Sequence, residues 1–184
     1  MPLILNGATS GSTTLQATDA TTQTITLPNN SGTVLTSLST QSAFPANIAG
    51  NGPAFSVYRS GTQTLSSNTS TKIQYNAENF DTNNNFDSTT NYRFTPTVAG
   101  YYQINYQVGA STSACNIEIK VVKNGDTSAG GGFWVNTSAV RGTGSNLIYF
   151  NGLSDYLEIY ATFSTGQTLD SANTYFSGFL ARAA

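Results

Sequence analysis

Between residues 98 and 108 the chain alternates without a break. Val98, Gly100, Tyr102, Ile104, Tyr106 and Val108 fall on one parity, and Tyr101, Gln103, Asn105 and Gln107 on the other. Successive side chains of an extended chain point to opposite faces, so a period of two predicts a half-buried strand. Pro96 stands just before the run, where a missing N–H does least harm to a ladder.

The rest of the chain from Ala54 onward reads in the same way. Residues 55–58, 72–75, 116–123, 131–140, 147–150, 153–163 and 175–180 each look like strands, and Asn124-Gly125 is a tight-turn signal because both residues tolerate positive φ. Residues 76–91, NAENFDTNNNFDSTTN, read as a long polar loop pinned by Phe80 and Phe86. No window carries a helical period with caps. Short strands at near-even spacing predict an all-β domain over 54–184, an antiparallel sandwich or jelly roll.

Residues 1–45 differ. They hold no Lys, Arg, Glu, Tyr or Trp, and Thr and Ser are dense. Short apolar pieces, with Leu3, Leu5, Leu15, Ile25, Leu27, Val34 and Leu35, are separated by breakers such as Gly7, Gly11, Pro28 and Gly32. No piece could support a core alone. The composition suits a linker. It also suits an extended arm that adds strands to another protein, since Thr and Ile favour strands and an unpaired strand gains main-chain hydrogen bonds at a sheet edge. The arm is the preferred reading, with those seven residues as the anchor. Residues 46–53, punctuated by Gly50, Gly52 and Pro53, form the expected linker.

The residue inventory narrows the chemistry. The chain has no histidine, which removes the commonest general base and metal ligand and any nucleophile–His–acid triad. Glycine-rich stretches at 130–132 and 142–144 lack the following Lys and helix of a phosphate loop. Asp81-Thr-Asn83-Asn-Asn85 imitates the start of a calcium loop, but Phe86 stands where the turn glycine belongs and Tyr92 where the bidentate Glu belongs. Glu118 and Glu158 lie mid-strand and are expected on a polar sheet face, paired with Lys120 or Lys123. The lone Cys115 is expected to be a small buried apolar residue. No catalytic residue, cofactor or metal is therefore expected, and the chain is not read as an enzyme. Lys and Arg are scattered singly and the net charge is −2, so no clustered basic face is available for nucleic acid. No run is long and apolar enough to span a bilayer, and the first residues lack the basic region of a signal peptide.

Charged residues make up only 9% of the chain, against about 25% in ordinary soluble domains. Aromatic residues are plentiful, with ten Tyr and ten Phe. The strands at 98–108, 153–163 and 175–180 carry them on both parities. One face can be core. The other is either ordinary surface tyrosine or, preferably with charge so scarce, a subunit interface built on Tyr101, Tyr160, Tyr175 and Phe179.

A family resemblance rests on ordered landmarks. Tyr75, Asp81, Phe86 and Phe94, followed by Gly100-x-Tyr102-x-Ile104-x-Tyr106, resemble the signature of the complement C1q-like (tumour necrosis factor-like) head. Tyr75 and Ile104 stand where that family has Phe, and one extra residue precedes Phe94. The stretches 53–57, 123–125, 152–157 and 175–180 resemble further family segments. The resemblance covers about residues 53–182 and implies a ten-stranded jelly roll, a compact homotrimer, and a binding or structural role. Residues 7–17, 24–28 and 32–35 are similar to N-terminal segments of tailed-bacteriophage structural proteins. Together the two imply a virion protein, a trimeric capsid decoration or cement protein whose arm grips a major capsid or tail protein. A second reading is a tail-fibre tip or receptor-binding protein contacting host glycan through loops 76–91 and 126–133. A soluble C1q-like lectin and a polysaccharide depolymerase are the remaining readings.

Overall fold

The computed structural model describes residues 3–6, 12–15, 52–110, 115–127, 132–139 and 141–184. The chain divides into two units, Met1–Ser39 and Thr40–Ala184. In the first, β1 (Leu3–Asn6) and β2 (Ser12–Leu15) pair antiparallel, Leu3 opposite Leu15 and Leu5 opposite Thr13. Leu3, Leu5 and Leu15 of the expected anchor lie on this pair. Ile25, Leu27, Val34 and Leu35 lie outside the described residues.

The second unit is a two-layer antiparallel sandwich. Its strands are β3 (Ala54–Tyr58), β4 (Thr64–Leu65), β5 (Thr71–Lys72), β6 (Ala77–Asp81), β7 (Phe86–Asp87), β8 (Arg93–Phe94), β9 (Gly100–Gly109), β10 (Cys115–Lys123), β11 (Gly132–Ala139), β12 (Arg141–Phe150), β13 (Leu157–Phe163), β14 (Gln167–Thr168) and β15 (Tyr175–Ala183). One layer runs β12-β9-β15-β3-β6 and the other β11-β10-β13-β8-β7. β5 also pairs with β13, on the edge away from β10 that β8 uses at Leu157. Each layer thus has five strand positions, and together they make the ten of a jelly roll. Consecutive strands cross between layers: β9 in the first, β10 and β11 in the second, β12 back in the first, β13 in the second and β15 in the first.

The alternation of β9 places Tyr102, Ile104, Tyr106 and Val108 inside, all buried. Tyr102 keeps its polar tip satisfied by donating to Val98 O at 2.8 Å. Facing residues from β10 (Ile117, Ile119, Val121) and β13 (Leu157, Ile159, Phe163) close the core. Its centre is aromatic. Phe55 stacks on Phe94 (ring centroids 4.2 Å apart) and Phe86 (5.6 Å), and meets the edge of Phe176 at 4.9 Å. Cys115 is buried as expected, and Gln167 Nε2 donates to its Sγ at 3.3 Å. Asn124 and Gly125, with φ of 55° and 80°, make the tight turn after β10.

Tyr75 breaks the pattern. It is fully buried, its ring lies 5.4 Å from Phe176, and its hydroxyl has no hydrogen-bond partner among the described residues. Burial first, then Tyr106 and Tyr175, push its pKa well above the ordinary value, so it stays neutral. A buried hydroxyl without a partner carries an uncompensated desolvation penalty of about 1–3 kcal/mol. Tyr75→Phe is expected to raise stability by about 1–2 kcal/mol in urea titrations. A destabilised variant would show that the hydroxyl is satisfied after all.

Residues 76–91 are more ordered than the sequence suggests. They contain β6 and β7. Phe86 is the buried pin, whereas Phe80 stands opposite Ser56 on the edge strand and is exposed. The calcium-like run works as a turn: Asp81 Oδ2 accepts from Phe86 N at 2.7 Å and Oδ1 from Asn83 N at 3.3 Å. Among the described residues no group of three or more His, Cys, Asp and Glu side chains could hold a metal. Glu118 pairs with Lys120 at 3.1 Å as expected, but Glu158 pairs with Lys72 at 2.9 Å rather than with Lys120 or Lys123. In register Glu118 and Glu158 sit four positions apart. That is about 13 Å along a strand, beyond the ~5–9.5 Å that glycoside hydrolysis needs.

The turn between β12 and β13 is heavily tied. Asn151 Oδ1 accepts from the N–H groups of Leu153, Ser154 and Asp155. Asp155 in turn accepts from Asn151 N (2.9 Å), Asn124 Nδ2 (2.7 Å) and Lys123 Nζ (2.8 Å). Gly152, at φ 70°, lies against the Val98–Ala99 backbone, where a Cβ would collide. Burial pushes the Asp155 carboxyl up, but Lys123, Asn124 and the Asn151 N–H outweigh it and hold the pKa below the usual value. A carboxyl with a lower pKa folded than unfolded stabilises fully above about pH 4, its unfolded value. That contribution is lost as pH falls through the folded value. Asp155→Asn is expected to lower stability at pH 7 by about 1.5–3 kcal/mol, with the deficit shrinking below about pH 4. An equal deficit at pH 7 and pH 2 would contradict this.

Candidate interaction face

The outward face of the β12-β9-β15-β3-β6 layer is a grid of cross-strand rows. Tyr149, Tyr101 and Arg182 form the row nearest the Gly100 end of β9. Leu147, Gln103, Phe179 and Ala54 form the next. Ser145, Asn105, Ser177 and Ser56 follow, extended by Phe80 on β6. Thr143, Gln107, Tyr175 and Tyr58 make the last. Among the residues whose side chains are described, seven of the eight exposed large hydrophobic residues lie on this grid, among them Leu147 at 62% and Phe179 at 49% exposure; the eighth is Leu153. Scattered apolar residues need no explanation, but so many on one sheet face mark an interaction surface.

The middle of the face is neutral and internally bonded. Gln103 Nε2 donates to Ser145 Oγ at 2.7 Å, and Ser145 Oγ donates to Asn105 Oδ1 at 2.9 Å. Tyr101 and Tyr149, directly opposite each other, are in ring contact with centroids 5.4 Å apart. No ionised side chain stands in the two central rows, so covering them would strand no charge.

Tyr101, Tyr175 and Phe179, three of the four residues expected at an interface, come together here. Tyr160 does not. It sits on β13 in the other layer, between Lys72 and Lys120 in register, and its hydroxyl donates to Glu158. Burial first, then Glu158, raises its pKa. That outer face carries the Lys72–Glu158 and Glu118–Lys120 ion pairs and is charged where the first is apolar. Tyr58, Phe80, Leu147 and Tyr149 belong to the apolar face and were not singled out from the sequence. The signal that could have found Leu147 and Tyr149 is the parity of 141–150 as a whole, read as one ten-residue strand. Of the loops expected to meet glycan, 76–91 holds β6 and β7, 128–131 lie outside the described residues, and 132–133 begin β11.

No protein-family model matches the chain, and no curated protein matches it. Among solved structures it is similar to the PRD1 vertex protein P5, at 21% identity over 70% of this chain and 96% of that one, with a TM-score of 0.53. It is also similar to murine APRIL, at 10% identity over 70% of this chain and 98% of that one, with a TM-score of 0.51. These likenesses show the fold. The sandwich is a tumour necrosis factor-like, C1q-like jelly roll, as the landmarks from Tyr75 to Tyr106 imply.

Proposed function

We propose that this chain is a structural protein of a bacteriophage virion, a trimeric jelly-roll head attached to the particle through residues 1–45. The observation that carries the reading is the match to almost the whole of the PRD1 vertex protein P5, a phage virion protein, together with an N-terminal stretch similar to phage structural proteins. The apolar outer face of the β12-β9-β15-β3-β6 layer supports self-association. Tyr101 and Phe179 pack against neighbouring copies, while Tyr160 in the other layer and Tyr175 in the last row of the face stay outside the contact. The three arms, with Leu3, Leu5, Leu15, Ile25, Leu27, Val34 and Leu35 as anchors, grip a major capsid protein, so that the head decorates or cements the shell. Three weak attachments on one rigid body hold far more firmly than one, because each bound arm raises the effective concentration of the others. The role is binding rather than catalysis.

Co-sedimentation with particles lacking this protein tests the attachment. The full chain is expected to pellet with them. A chain without residues 2–45 is expected to remain folded and stay in the supernatant. Retained binding by the shortened chain would make the head, not the arm, the anchor.

A further inference from the structure

The two ends of the outer face treat their tyrosine pairs differently. Tyr101 and Tyr149 are opposed across β9 and β12 and their rings touch. Tyr58 and Tyr175 are opposed in the same way across β3 and β15, yet their rings make no contact. A cleft of about 400 Å³ is lined by both and by the turn after β3 and the short 3-10 turn Ser171–Asn173. Opposed aromatic side chains on a sheet ordinarily pack, since each pair stabilises by about 0.2–1 kcal/mol. Here the rings stay apart, and the two residues are 36% and 42% exposed.

The walls are preorganised. Arg59 N donates to Thr174 O at 2.9 Å, and the Arg59 guanidinium ties Gln74 O and Thr62 O. Ser60 N donates to Asn76 Oδ1 at 2.8 Å, and Asp170 caps the 3-10 turn through Ala172 N at 2.9 Å. Polar groups on the lining residues are unspent. The hydroxyls of Tyr58, Tyr175, Ser60 and Ser171 have no partner among the described residues, and Asn79 spends its amide N–H on Ser56 and leaves its Oδ1 free. No ionised side chain lines the cleft.

That chemistry selects its ligand class. A phosphate, sulfate or sialic acid would find no cation. A purely apolar ligand would bury the hydroxyls unpaired. A pyranose ring offers C–H faces to aromatic rings and hydroxyls to hydroxyl and amide groups, and it fits a neutral, half-apolar cleft with a few convergent polar groups. We propose that the Tyr58–Tyr175 cleft binds an uncharged hexose unit of a glycan.

Its position fits such a role, on the reading that residues 1–45 hold the head to a particle. The chain enters the sandwich at Pro53, whose carbonyl accepts from Leu180 N at 2.9 Å, and ends beside it, with Ala184 N donating to Ala99 O at 3.2 Å. Tyr58 lies four residues along β3 from Ala54, about 14 Å away at the opposite end. The cleft therefore lies at the end of β3 opposite Pro53, where the chain enters the sandwich.

Saturation-transfer NMR on the full chain tests the proposal, with glucose, galactose, mannose and N-acetylglucosamine as probes and N-acetylneuraminic acid as the charged control. Transfer to the ring protons of at least one neutral sugar is expected, with none to the control. Tyr58→Ala, which removes one platform, should weaken binding about tenfold. Ser60→Leu, which fills the cleft from a turn off the sheet, should abolish it with the fold intact. Absence of transfer to every neutral sugar overturns the proposal, as does equal binding by folded Ser60→Leu. If the sugars fail and Tyr58→Ala changes the oligomeric mass, the cleft belongs to a subunit contact. Particle co-sedimentation of Ser60→Leu should equal wild type. A wild-type chain that binds sugar but no particle removes the virion reading and leaves the cleft standing.

Discussion

Phe55→Ala should cost the head about 3–5 kcal/mol, the largest stability loss expected of any single truncation considered. Phe55 is 1% exposed and touches Phe86, Phe94 and Phe176, which come from β7, β8 and β15. The ring therefore ties both layers together at the point where three short or terminal strands meet. β7 and β8 have two residues each and few ladder bonds of their own, so they depend on the rings they bury. Removing the Phe55 ring leaves a cavity between rigid aromatic neighbours that cannot collapse into it. Denaturant unfolding should show a lower midpoint with an unchanged slope. A loss under about 1 kcal/mol would mean the aromatic cluster is not the keystone of the core.

Phe179→Glu should convert the proposed trimer to a monomer without unfolding it. Phe179 is half exposed in the single chain, so the fold tolerates a carboxylate there. In the proposed assembly the same carboxylate would be driven against a neighbouring copy from the row of Ala54, Gln103 and Leu147, which holds no cation; the nearest on the face, Arg182, stands in the next row. The penalty is several kcal/mol per site and would recur three times around the axis of the proposed trimer. Sedimentation should show three chain masses for wild type and one for the variant. Tyr160→Ser, in the charged layer, should leave the trimer intact. A monomeric wild type, or a trimeric Phe179→Glu, would show that the apolar face is not the interface.

The alternation of β9 was legible because its inward residues are large and its outward ones mostly amides. β12 defeats the same reading. Its inward positions are Gly142, Gly144 and Asn146 before Ile148 and Phe150, and its outward ones end in Leu147 and Tyr149. The reason lies across the sheet. The Tyr106 ring occupies the space a Gly144 side chain would fill, and its hydroxyl donates to Asn146 Oδ1 at 3.0 Å. One large residue on β9 thus replaces the apolar pattern on its neighbour. Tyr160 lies in the other layer from Tyr101, Tyr175 and Phe179, which the sequence did not reveal for a different reason. Alternation tells which residues share a strand face but not which layer the strand joins. The partner of Glu158 was missed because Lys72, 86 residues away, is brought alongside only by the β5–β13 pairing. The cleft between Tyr58 and Tyr175 left no local signal, since it depends on two strands distant in sequence and on rings that fail to meet.

The attachment of this head to a phage particle is the claim on which the rest depends, and gold-labelled antibody against residues 53–184, imaged on intact particles of the parent phage, tests it most directly. Label distributed over the capsid is the expected result. Label confined to the tail tip would contradict decoration of the shell, and particles without label would contradict a place in the virion altogether.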